Sequence, residues 1–318
     1  MCPGFATLGY PTVAEDLSAG AAWIDDTIVP VAQARLPVLD WGFLHSDATY
    51  DVAHVWHGRF FRLDDHLDRF DASMAALRLR IPHDRAALRD GLVRLVRATG
   101  LRDAYVEVIC TRGQPAPGSR DPRTCTNRFM AFAVPFIWIA DPAQQEQGLH
   151  LVVSERQRIP PESVDPAVKN YHWLDMVRAL FDAYDRGGET AITVDGGGHV
   201  VEGPGFNLFA VHGERLATPE RGVLPGITRR TVIELAQLAG YGVERRAVGA
   251  DEVRRADEVF ITSTAGGVMP VTRVDGAPVG GGRPGPITRR LRDAYWSLHD
   301  DPAYTLAVDA AADTGYSG

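Results

Sequence analysis

Two periods organise the apolar residues of this chain. A helical spacing runs through Leu67, Phe70, Met74 and Leu77, and again through Leu88, Leu92, Leu95 and Val96. One apolar stripe per segment predicts a helix from Asp64 or Asp65, either of which can cap it, to about Leu79, and a second over 84–99. Short strand-like runs lie around them. Residues 21–24 and 27–31 flank Asp25-Asp26 and read as a β-hairpin, as do 52–56 and 59–63 around His57-Gly58. Residues 105–111 and 129–136 read as strands. In the first of these, Tyr105, Glu107 and Ile109 share a face because side chains alternate. The polar stretch 41–50 reads as a loop, and 113–122 as a second, rich in Gly and Pro.

In the second half, the pattern predicts strands at 149–154, 191–194, 206–211 and 258–262. It predicts helices over 174–184, from about 227 with Val232, Leu235 and Leu238 on the apolar side, and over 286–299. Residues 141–148 are polar and show neither period. They are read as a linker between a domain of residues 1–140, with an irregular lead-in over 1–20, and a domain of residues 149–318. Strands and helices mix without strict βαβ alternation, so the expected class is α+β.

Composition narrows the function classes. Apolar residues make up 45% and charged residues 23%, the balance of a soluble globular protein. The net charge of −8 predicts no basic face for nucleic acid or an anionic membrane. No apolar run approaches the ~20 residues of a membrane span. Cys2, Cys110 and Cys125 form neither a disulfide framework nor a zinc pattern, and no metal site is expected. Residues 1–16 lack the basic and apolar segments of a signal peptide, so the expected location is the cytoplasm.

One residue changes the picture. Of the 33 basic residues only Lys169 is a lysine. Arginine can replace lysine as a surface charge, but guanidinium stays protonated and cannot act as an amine nucleophile. A lone lysine among Val168, Tyr171, Trp173 and Leu174 is therefore a candidate for Schiff-base chemistry with a carbonyl. The alternative, a solvated or core-edge lysine left by composition, stays open on this stretch alone.

Four other features suit the same chemistry. Pro225-Gly226-Ile227-Thr228 begins a predicted helix, whose free amides and Thr hydroxyl make an anion site. Ser263-Thr264-Ala265-Gly266-Gly267 follows a predicted strand and offers a hydroxyl with turn amides. Arg69 supplies a forked donor. Glu202 sits in a turn bounded by Gly and Pro. Each has a plain structural alternative: helix start, turn, surface cation, turn carboxylate. Together they match the needs of pyridoxal 5′-phosphate (PLP): an amine for the aldehyde, donors for the phosphate and a carboxylate for the pyridine nitrogen.

The chain resembles the fold-type IV PLP transaminases, and within them is similar to the (R)-selective amine transaminases. The resemblance is carried by residues 43–52, 61–69, 164–170, 202–207, 224–229 and 264–267, spread over about 20–305. It implies a small N-terminal α/β domain, a larger C-terminal domain, and the cofactor between them in a homodimer. Lys169 would hold the cofactor and shuttle the proton. Glu202 would face the pyridine nitrogen, and Arg69, Ile227, Thr228 and Thr264 would bind the phosphate. His45, Tyr50, Tyr105, Glu107 and Trp173 would line the substrate pocket, with Arg120 on a mobile loop. Arg123 and Arg128 are alternatives for that loop cation. D-amino-acid transaminases carry an Arg-x-His pair after Thr-Arg-Gly. Here Pro117 and Ser119 stand at those places, so the carboxylate trap is missing. The expected reaction is amino transfer from a primary amine to a keto acid such as pyruvate. Alternatives on the same fold are a D-amino-acid or branched-chain aminotransferase and an aminodeoxychorismate lyase-like enzyme.

Overall fold

Asp25 and Asp26 both adopt left-handed backbone angles, φ 48° and 60°, as a two-residue hairpin turn of matching twist requires. They join β1 (Ala21–Ile24) to β2 (Thr27–Pro30) as the sequence predicts. This computed structural model describes residues 16–309, so residues 1–15 of the predicted lead-in and Cys2 lie outside the described residues.

The hairpin belongs to a seven-stranded antiparallel sheet with β3 (Ala48–Trp56), β4 (Arg59–Phe61), β5 (Ala104–Gln114) and β6 (Thr126–Pro135). Three helices accompany it: α1 (Trp41–His45), α2 (Leu63–Leu77) and α3 (Arg85–Thr99). The predicted stripes meet in one core, where Phe60, Leu67, Phe70, Leu88, Leu92 and Leu95 are fully buried.

Several boundaries differ from the sequence reading. Residues 41–50 are not a loop. They form α1, capped by Asp40, and then the start of β3. Neither Asp64 nor Asp65 caps α2. Arg62 takes that place in a left-handed conformation, and the two aspartates complement the helix dipole from its first turn. Asp84 does cap α3, accepting from the Ala87 amide. Residues 141–148 are not structureless: α4 (Pro142–Gln147) is closed by a capping box between Asp141 and Gln144. Six residues are too few to show a helical period.

The second sheet holds β7 (Leu149–Gln157), β8 (Thr190–Val194), β9 (His199–Val200), β10 (Asn207–His212), β11 (Arg215–Thr218), β12 (Gly242–Arg245), β13 (Val248–Gly249), β14 (Glu258–Ser263), β15 (Gly267–Val274) and β16 (Ala277–Pro278). Its order is β12-β11-β10-β14-β15-β7-β8-β9-β13, with β16 on β15. Around it lie α5 (Leu174–Asp185), α6 (Ile227–Leu238), α7 (Ala250–Arg254) and α8 (Pro286–Ser297). The pairs β15–β7, β7–β8 and β11–β12 are parallel and the others antiparallel, a mixed α+β arrangement. The last strand, β17 (Thr305–Ala307), returns to pair with β4. No single cut in the chain therefore separates the two sheets.

Candidate active site

The lysine segment is strapped onto the first sheet. The Lys169 carbonyl accepts from Thr49 Oγ1 at 2.7 Å and from the Tyr50 amide at 3.3 Å. The Lys169 amide donates to Ser73 Oγ at 3.3 Å. These bonds fix the backbone of a loop and leave the side chain to project. Its Nζ lies 4.3 Å from the centre of the Tyr50 ring, which is itself stacked on Tyr171 at 4.3 Å. An aromatic face attracts the ammonium and orients it. The amine opens on a cavity of about 570 Å³ whose wall draws on both sheets.

At one end of the cavity α6 begins. Gly226 precedes it with no side-chain cap, and the first helical bond runs from the Arg230 amide to the Gly226 carbonyl. The amides of Ile227 and Thr228 are thus free for an anion. Gly226 is required because a Cβ there would stand 2.1 Å from Asn207 Oδ1. Arg69 reaches the same end and donates to the Pro225 carbonyl at 3.1 Å. Its other nitrogens grip Asp51 at 2.7 and 2.9 Å, and Asp51 also bonds His66 at 2.8 Å. Burial would raise the Asp51 carboxyl, but Arg69 and His66 outweigh it and hold the group well below the usual range. Thr264, in the turn between β14 and β15, also lines the cavity.

Glu202 lies at another part of the wall, almost fully buried. One carboxylate oxygen accepts from Arg158 Nε at 3.0 Å and the other from the Leu224 amide at 2.8 Å. Arg158 in turn pairs with Asp175 at 2.7 Å. Burial raises the Glu202 carboxyl above its ordinary value, and Arg158 and the Leu224 amide oppose the rise. A cationic ring nitrogen beside it would favour the ionised form further.

One stretch of the wall groups aromatic rings around the Glu107 carboxyl. Glu107 accepts from Tyr171 Oη at 2.6 Å and Tyr105 Oη at 3.1 Å. Burial pushes its carboxyl up despite both phenols and Lys169. Tyr50, Tyr105, Glu107 and Trp173 all border the cavity, as the sequence predicts.

Two predicted residues are not brought there. His45 ends α1 on the exposed surface, its ring against Trp41. Arg120 is exposed on the loop after β5 and outside the cavity wall. Of Arg120, Arg123 and Arg128 it alone makes no ion pair among the described residues. Arg123 is held by Asp121 at 2.6 Å and Arg128 by Asp25 at 2.9 Å. The sequence reading missed Arg158, Asp51 and Tyr171. Arg158 sits in Ser154-Glu155-Arg156-Gln157-Arg158, a run indistinguishable from a solvated charged face.

Residues 48–274 match the family described as amino-transferase class IV. A Methanocaldococcus jannaschii protein provisionally named branched-chain-amino-acid aminotransferase is 32% identical, over 86% of this chain and 94% of its own length. The branched-chain-amino-acid aminotransferase of Pseudomonas aeruginosa is 30% identical, over 88% of this chain and 92% of its own. Among solved structures, the branched-chain amino acid aminotransferase of Thermobaculum terrenum in its PLP form superposes with a TM-score of 0.82. It is 27% identical and covers 93% of this chain and 100% of its own.

Proposed function

Because the chain belongs to the amino-transferase class IV family, and is thus a PLP-dependent aminotransferase, we propose that its donor is an (R)-configured primary amine and its acceptor an α-keto acid such as pyruvate. The observation that carries this reading is the commitment of both cavity arginines. Arg69 is tied to Asp51, and Arg158 to Glu202 and Asp175. The Arg-x-His positions hold Pro117 and Ser119. Among the described residues the wall around Tyr50, Tyr105 and Glu107 offers no uncommitted arginine, so a neutral substituent sits there at lower cost than a carboxylate.

The free amides of α6, the Arg69 guanidinium and the Thr264 turn fit the cofactor's phosphate, and Glu202 its ring nitrogen. When bound, the cofactor supplies an electron sink for the bond broken at the amino-bearing carbon. Lys169 Nζ is placed to attach it, then to take the proton from that carbon and return it on the other side of the transfer. Tyr50 holds the amine in position, and Arg158 opposes the burial that raises the Glu202 carboxyl. Arg120, the unpaired loop cation, is the group we assign to the keto-acid carboxylate.

A branched-chain aminotransferase is the second reading, favoured by the names of the relatives. A donor panel separates them: both enantiomers of 1-phenylethylamine, D-alanine and L-leucine, each with pyruvate or 2-oxoglutarate. Turnover of (R)-1-phenylethylamine above that of L-leucine is expected, and the reverse order overturns the amine reading. We also assign the protein as a homodimer. Leu174, Val177, Phe181 and Tyr184 form one exposed apolar face of α5, and Val38, Leu39, Phe43 and Leu44 another around α1. Apolar patches of this kind mark interfaces. A light-scattering mass at the 34.6 kDa of one chain would refute the dimer.

A further inference from the structure

Arg229 occupies the first turn of α6, one residue beyond Thr228, and is buried. Its Nε donates to Thr218 Oγ1 at 3.0 Å and its terminal nitrogen to the Pro219 carbonyl at 2.6 Å. Both acceptors are neutral. Among the described residues Arg229 makes no ion pair, whereas the buried Arg158 meets two carboxylates and Arg69 one. The charges that reach it are Arg245, at the end of β12, and Glu220, just beyond β11. Burial, then Arg245, lower its guanidinium to about 10, with Glu220 a smaller opposing influence. It stays charged at neutral pH.

This placement is doubly unfavourable in the free chain. A buried cation needs a counter-charge. The start of a helix carries positive partial charge, so cations belong at the other end. An anion seated on the free amides of Ile227 and Thr228 resolves both.

We propose that Arg229 is a positioning residue whose buried charge is complemented by the cofactor's phosphate. It thus selects the phosphorylated cofactor without touching it. This rests on the cofactor reading above. Arg229 also pins the end of β11 to α6.

The experiment is a titration of apoprotein with PLP and, separately, with pyridoxal, which lacks the phosphate. Binding is read by tryptophan quenching and visible absorbance. In the wild type, PLP binds more tightly than pyridoxal, and failure of PLP to bind at all would sink the cofactor reading instead. In Arg229→Met, PLP affinity is expected to fall roughly 10- to 100-fold, the scale of one buried charge. Pyridoxal affinity should hold within about threefold. An equal fall for both, or for neither, overturns the proposal and leaves Arg229 a brace of the turn.

Arg229→Lys keeps the charge and serves if the Met variant does not fold. A buried lysine loses its proton at lower pH than arginine. The ratio of PLP to pyridoxal affinity should therefore match the wild type at pH 7 and decline at a lower pH than in the wild type. A ratio with the same pH course in both proteins also overturns the proposal.

Discussion

Removing Arg158 is the sharpest test of how the pyridine end is built. Arg158→Met keeps much of the side chain's length and deletes its charge. The Arg158 and Glu202 side chains are only 8% and 9% exposed, and the pair is 3.0 Å apart. Breaking such a pair leaves an unpaired buried carboxylate, at a cost of about 3–5 kcal/mol. At roughly 2–4 °C per kcal/mol for a protein of this size, the melting temperature should fall by around 10 °C.

The sign of the pH dependence follows from Glu202. Its carboxyl already stands above the ordinary value through burial, and losing Arg158 raises it further. A carboxyl raised in the folded state contributes stability below its unfolded value of about 4.3 and loses it as pH rises through the folded value. The deficit against the wild type should therefore be larger at pH 8 than at pH 5.5. Differential scanning calorimetry of the apoprotein at both pH values measures it. Turnover should also drop about 10²–10³-fold, because a protonated Glu202 no longer stabilises charge on the ring nitrogen. A wild-type melting temperature, or a deficit that does not shrink at pH 5.5, would refute the reasoning.

Two further outcomes are expected. Lys169→Arg should retain the fold and abolish transamination, and borohydride reduction of the wild type should fix the cofactor to the peptide containing Lys169; label on another peptide would contradict the assignment. Arg120→Ala should raise KM for pyruvate several-fold and leave KM for (R)-1-phenylethylamine within about twofold, measured as separate half-reactions, because of Arg120, Arg123 and Arg128 only Arg120 has no carboxylate partner among the described residues; equal changes in both would remove it from acid recognition.

The sequence alone determined whatever depends on local spacing or on the chemistry of one side chain. The stripes of α2 and α3 were legible because each repeats over fifteen residues against a single core. Lys169 stood out because it is the one lysine among 33 basic residues. Gly226, Thr228 and Thr264 were legible because a helix start and a strand end are local events.

Tertiary structure decided the rest. β15 is buried at seven of its eight positions, so it shows no alternation and gave no strand signal. β17 joins the first sheet through pairing with a strand some 245 residues earlier, which no local window contains. Arg158, Asp51 and Arg229 read in sequence like any charged residue. Their roles rest on burial and on partners distant in the chain: Glu202 for Arg158, Arg69 for Asp51, and for Arg229 two neutral acceptors in place of a carboxylate. Desolvation turns those ordinary charges into determinants of the site, and desolvation is a property of the packed molecule.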